Sequence, residues 1–225
     1  MNFLAHYLLA TKYLPPVEPL SCYIVGNALP DLLPLASTRL RPAALNTPPH
    51  PALDNNAFRE GAVAHFAADA AFHKLAGFLT AQACINEFIA EAGFYGIRVR
   101  KFFLSHILAE LALDAALLRD DPWIAGDFYF AFNPREINGA MRWAEFILQQ
   151  EIPALPMVLA RFARSRYLES YQDNAGIAIG INRLCARARQ DIFEGANAER
   201  LLNLVSRSLS VINATDLMAA TAEAV

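Results

Sequence analysis

Apolar residues recur three and four positions apart along most of the chain, whereas alternating β-branched runs closed by hairpin turns are nearly absent. The pattern predicts an all-α protein, with helices over residues 2–12, 19–28, 57–78, 81–92, 99–119, 122–132, 134–150, 155–163, 165–188 and 198–222. Tyr13-Leu14-Pro15-Pro16 and Ile152-Pro153 read as helix stops, because proline lacks a donor and restricts the residue before it. Residues 35–56, carrying Pro42, Pro48, Pro49 and Pro51, form the one long non-periodic connection, either a binding lid or a tolerated insertion. There is no internal repeat, phosphate-cradling glycine loop or CxxC pair. A chain of 225 residues suits one domain, 1–225, folded as a bundle of about eight to ten helices.

Charge removes some functions. The 19 Lys and Arg against 22 Asp and Glu give net −3, without the basic surplus a nucleic-acid partner requires. The most apolar stretch, 102–118, carries His106, Glu110 and Asp114, so no membrane span is expected. No basic leader precedes the first apolar residues, and Cys22, Cys84 and Cys185 are odd in number and set among aliphatics. A cytoplasmic protein with reduced thiols is the expectation. The hydrophobic fraction of 55% leaves room for a homo-oligomer interface, and for a helical interaction protein as a third class of function.

Chemistry concentrates in the N-terminal half, which holds all five histidines: His6, His50, His65, His73 and His106. His65, Asp69 and His73 fall at i, i+4 and i+8 among alanine and phenylalanine, so on one helix they line a stripe about 80° wide. His106, Glu110 and Asp114 repeat the spacing among aliphatics. Imidazole and carboxylate together are ligands for zinc, manganese or iron, and bundles build such sites from facing helices. The two stripes predict a mono- or dinuclear centre with His65, Asp69, His73, His106 and Glu110 as ligands, Asp69 bridging, and Asp114 orienting a ligand histidine. The alternative is a set of hydrogen-bonded core groups. Asp31, after Gly26-Asn27-Ala28-Leu29-Pro30, is a further ligand if proline turns the chain inward, or else a helix cap; His6 is a ligand or a buried histidine bonded to a carbonyl. His50, between prolines, is the weakest candidate. Lys74, Arg98, Arg100 and Lys101 are the basic residues nearest in sequence for phosphate capture, or solvated helix-end charges.

Met1-Asn2-Phe3-Leu4-Ala5-His6 resembles the opening of the acyl carrier protein phosphodiesterases, helical relatives of the HD-type metal phosphohydrolases. Gly26-Asn27-x-Leu29-x-Asp31 is similar to their next motif, and Gly61-x-x-x-His65-x-x-x-Asp69 to their central one. His106 lies where they carry an Asp-His pair, and Tyr171-Gln172-Asp173 through Ile177, Ile181 and Arg187 resembles their C-terminal helix. Phe66 replaces their arginine, His73 an aspartate and Ser105 the aspartate before the histidine, while Glu110 and Asp114 are extra acids.

The resemblance implies an HD-like fold and a manganese- or zinc-dependent phosphodiesterase that removes 4′-phosphopantetheine from holo acyl carrier protein. Asp69, Asp31 and His106 would then be catalytic and Asn27 supporting, with a phosphoester substrate, the carrier protein its possible partner. In residue order, His6, Asp31, His50, His65, Asp69, His73, His106 and Glu110 are also similar to the zinc-dependent phospholipase C and single-strand nuclease group. A non-catalytic metal-binding or small-ligand-binding helical protein is the other reading. The aromatics Phe58, Phe66, Phe72, Phe94 and Tyr95 would suit a small apolar phosphoester, or are plain core.

Overall fold

The computed structural model describes residues 1–15, 17–48 and 56–225. Among them the protein is all-α, with no strand. Eleven α-helices follow in order: α1 (Phe3–Leu8), α2 (Leu20–Leu32), α3 (Asn56–Phe72), α4 (Ala76–Ala92), α5 (Lys101–Asp120), α6 (Ile124–Phe130), α7 (Pro134–Leu148), α8 (Leu155–Ser165), α9 (Asn174–Arg187), α10 (Ala196–Leu209) and α11 (Ala214–Ala224). No helix among the described residues is long and apolar enough to cross a membrane. The three cysteines are free, Cys22 and Cys185 buried.

The described residues divide into two compact units. One comprises Met1–Ala5, Phe72–Pro122 and Tyr167–Thr221, and the other His6–Ala71, Trp123–Arg166 and Ala222–Val225. In the first unit α5 is the central helix, packed by α4, α9, α10 and the 3-10 turn Tyr167–Gln172. Leu104, Ile107, Ala109, Ala112, Leu113 and Leu117 are all buried, so α5 is covered on most of its circumference, as a helix surrounded by others must be. In the second unit α2 packs on α7 and α7 on α8. Asn133 caps α7 by accepting from the Arg135 and Glu136 N–H groups, with Pro134 at the first helical position, where its missing N–H costs nothing.

The approach of α2 to α3 rests on two glycines. A Cβ on Gly26 would run into the Phe58 backbone carbonyl, and one on Gly61 into the Tyr23 carbonyl and the Asn27 nitrogen. Asn27 Nδ2 donates to the Gly61 carbonyl at 3.2 Å across the same contact. Phe58, fully buried, fills the space over Gly139 and beside Trp143.

Several helix boundaries differ from the periodic reading. The expected helix 57–78 breaks at 73–75: α3 stops at Phe72, Leu75 is extended, and α4 starts at Ala76. The expected 165–188 is a 3-10 turn followed by α9, and 198–222 divides into α10 and α11. Pro30 does not turn the chain; it lies inside α2, which runs on to Leu32. The expected loop 35–56 includes 3-10 structure, in turns at Leu33–Ala36 and Pro42–Asn46. Residues 49–55, including His50, lie outside the described residues.

Candidate metal centre

Each unit gathers one group of candidate ligands. In the second unit, α1 supplies His6, α2 supplies Asp31 from its last turn, and α3 supplies His65 and Asp69 one turn apart. The glycine contact between α2 and α3 makes this possible: Gly61 lies one turn before His65 and Gly26 five residues before Asp31, so backbone contact at that level brings the following turns together.

One donor atom each from His6, Asp31 and His65 lies within 4.8 Å of the others. His6 Nε2 is 3.2 Å from Asp69 Oδ1, and His65 Nε2 is 3.7 Å from Asp69 Oδ2 and 3.8 Å from Asp31 Oδ1. The two imidazoles stack with centroids 4.0 Å apart and planes 16° from parallel. Both rings are buried, whereas the Asp31 and Asp69 side chains keep 39% and 32% exposure, so the group opens to solvent on its carboxylate side.

Burial and the neighbouring His6 push His65 well below the usual histidine range, against the opposite pull of Asp69. His65 is therefore a neutral imidazole at pH 7. Burial alone would raise the Asp69 carboxyl, but its contact with His6 and the nearness of both imidazoles hold it well below the usual carboxylate range.

In the first unit, His73 stands in the turn before α4, and α5 presents His106 and Glu110 one turn apart. The His73 and His106 Nε2 atoms lie 2.9 and 3.2 Å from the same Glu110 Oε1, and the Met1 nitrogen lies 2.8 Å from it. The Glu110 carboxyl, which burial would raise, is instead held well below the carboxylate range by that amino group and by both imidazoles.

The expected single stripe His65-Asp69-His73 is thus divided: His65 and Asp69 lie on α3, and His73 lies past its end, against Glu110. Asp114 does not orient a histidine. It is fully buried and accepts from the Leu4 and Ala5 N–H groups at 3.1 and 3.0 Å, satisfying donors at the start of α1. Asn27 supports the site by joining α2 to α3.

Lys74, Arg98, Arg100 and Lys101 are exposed. Arg100 covers the Phe103 ring, and Lys101 lines a cleft of about 270 Å³ with Ile89, Phe94 and Leu104, none of whose lining residues is a candidate ligand. Of the aromatics expected near the site, Phe58 and Phe72 are core, Phe94 packs edge-on to Phe193, and Tyr95 is exposed. Phe66 alone meets a candidate ligand of the second unit, edge-on to His65 at 5.5 Å. Glu136 is a further buried carboxylate, accepting from Ser21 and Cys22 in α2, that the sequence pattern does not single out, because a glutamate in the first turn of a helix is locally a favourable end charge.

Comparison with protein-family models, curated proteins and solved structures finds no match to this chain.

Proposed function

We propose that the chain is a metal-dependent phosphoric ester hydrolase centred on His6, Asp31, His65 and Asp69, of the type its sequence resembles. The observation that carries the reading is the convergence of two buried, stacked imidazoles and two part-exposed carboxylates from three helices. The donor set fits a divalent cation. Two imidazolium rings 4.0 Å apart would repel, so at least one ring keeps a free lone pair, and His65 is the one burial holds neutral. Imidazole with carboxylate suits manganese, zinc or iron.

These four residues would hold the cation, which when bound would lower the pKa of a bound water toward neutrality and offset phosphoryl charge. The remaining chemistry belongs to the chain. His6 and His65 form a dry floor that excludes bulk water from beneath the site, and Asp69, ionised at neutral pH, supplies the fixed negative charge. Asp31, the more exposed carboxylate, would besides its ligand role accept the proton of an attacking water. His106, which lies in the first unit against Glu110 and His73, takes no part in this chemistry.

The substrate class is a small phosphodiester rather than an acidic carrier protein. No Lys or Arg lies between Gly61 and Phe72 to steer such a partner, and Phe66 stands where the resembled family has its arginine. The test assays bis(p-nitrophenyl) phosphate and holo acyl carrier protein side by side with Mn²⁺. Aryl diester turnover should exceed release of phosphopantetheine, and Asp69→Ala should lower it by about 10²-fold or more. Wild-type protein with no metal-stimulated turnover of either substrate overturns the reading.

A further inference from the structure

We propose that the first unit holds a cation site of its own, built from His73, His106 and Glu110, selective for a zinc-type transition-metal dication over Mg²⁺ or Ca²⁺. Both ring Nε2 atoms are directed at one carboxylate oxygen, Glu110 Oε1, at 2.9 and 3.2 Å, and the rings lie 4.8 Å apart at 31°. Donors bound to a cation at about 2.0–2.1 Å stand roughly 2.9–3.3 Å from one another along the edges of an octahedron or tetrahedron. The two spacings to Glu110 Oε1 fall in that range, and the three donor atoms all lie within 4.8 Å of one another. The Met1 nitrogen lies 2.8 Å from the same oxygen and 3.3 Å from His73 Nε2, so a metal ion entering here would displace it.

The rings are held by hydrocarbon. Phe72 and Phe78 meet His73 edge-on at 5.5 and 5.3 Å, and Phe78 and Phe102 face His106 at 5.6 and 6.1 Å. Phe72 and Phe78 are buried, so one wall of the site is rigid and dry. The His73 and His106 side chains keep 31% exposure and Glu110 17%, which gives an ion a path from solvent. Two imidazoles and one carboxylate leave coordination positions open, and the nitrogen majority selects zinc, cobalt or nickel over the hard cations, which require oxygen.

The experiment reads metal rather than turnover, so it stands or falls apart from the hydrolase reading. Metal-free protein is titrated with Co²⁺, whose visible absorption reports nitrogen coordination, and bound metal is counted after gel filtration. The expected result is that His73→Gln/His106→Gln binds one equivalent less than wild type, while Asp31→Asn/His65→Gln keeps that equivalent and its spectrum. One equivalent of Zn²⁺ should displace this Co²⁺, and a hundredfold excess of Mg²⁺ should not. His106→Gln alone, at a position one-third exposed, guards against misfolding of the double variant and should weaken Co²⁺ binding at this site by at least tenfold. Unchanged Co²⁺ stoichiometry in both variants of this group overturns the proposal and leaves a hydrogen-bonded ion pair only. Displacement by Mg²⁺, or loss of all Co²⁺ in Asp31→Asn/His65→Gln, overturns it equally.

Discussion

Asp114 is a carboxylate spent on backbone. It has no exposure, and its two oxygens meet the Leu4 and Ala5 N–H groups. Burial pushes its carboxyl up to about 7, against the pull of those bonds. Because the folded chain then holds the proton more tightly than the unfolded one, this group favours folding below pH about 4 and loses that advantage as pH rises through about 7. The expected slope is at most about 1.4 kcal/mol per pH unit. Urea unfolding at pH 5 and pH 8 should show wild type losing stability that Asp114→Asn, which keeps an acceptor oxygen for the backbone, does not lose. Parallel pH profiles for the two proteins would mean that the carboxyl is ionised throughout. Asp69 is the contrasting case: its low value keeps it charged across the same range, as a cation ligand requires.

Among the elements, the pair α2–α3 decides whether the second unit's site exists. Gly61→Ala places a methyl group against the Tyr23 carbonyl and the Asn27 nitrogen, which are backbone and cannot rotate away. The helices must separate, and the expected cost is about 3 kcal/mol. The same shift moves His65 and Asp69 away from Asp31, so metal affinity should fall with stability. Gly77→Ala in α4 is the control: its Cβ would meet only the flexible end of Leu217, at 3.2 Å. Higher helix propensity offsets that contact, for a net change within about 1 kcal/mol. Chemical denaturation of both variants, with metal content measured alongside, checks the contrast; equal losses would show that the α2–α3 contact is not specially tight.

For the molecule as a whole, a cation that binds only the folded chain stabilises it by mass action. At a hundredfold excess over the dissociation constant the gain is about 2.7 kcal/mol per site. Zn²⁺ or Mn²⁺ added to metal-free protein should therefore raise the melting midpoint, and a chelator should return it. Calorimetry with and without metal measures this, and an unchanged midpoint would count against a cation site in either unit. A net charge of −3 adds only a weak general attraction for cations, so a large shift would have to come from the proposed sites.

The helical class and most helices were legible because periodicity is a local record of which face is buried. The candidate ligands stand out in the sequence for a related reason: His65, Asp69, His106 and Glu110 are polar groups on apolar helices, and burial without a partner is costly. Two of the missed helix breaks also carried local signals. Asp173 caps α9 by accepting from Gly176, and Asn213 with Asp216 forms a reciprocal cap before α11. The break at 73–75 carries none. No proline lies there, and the chain turns where Phe72 is fully buried and packs with Phe78. That turn takes His73 off the stripe and sets it against Glu110. Pro30 likewise reads as a stop, yet α2 continues through it, at the cost of the donor that the Gly26 carbonyl would otherwise receive. Spacing along a helix determines which side chains share a face. Which of them meet depends on where a helix ends and what packs on it, and those are set by contacts between residues as far apart in sequence as Asp114 and Leu4.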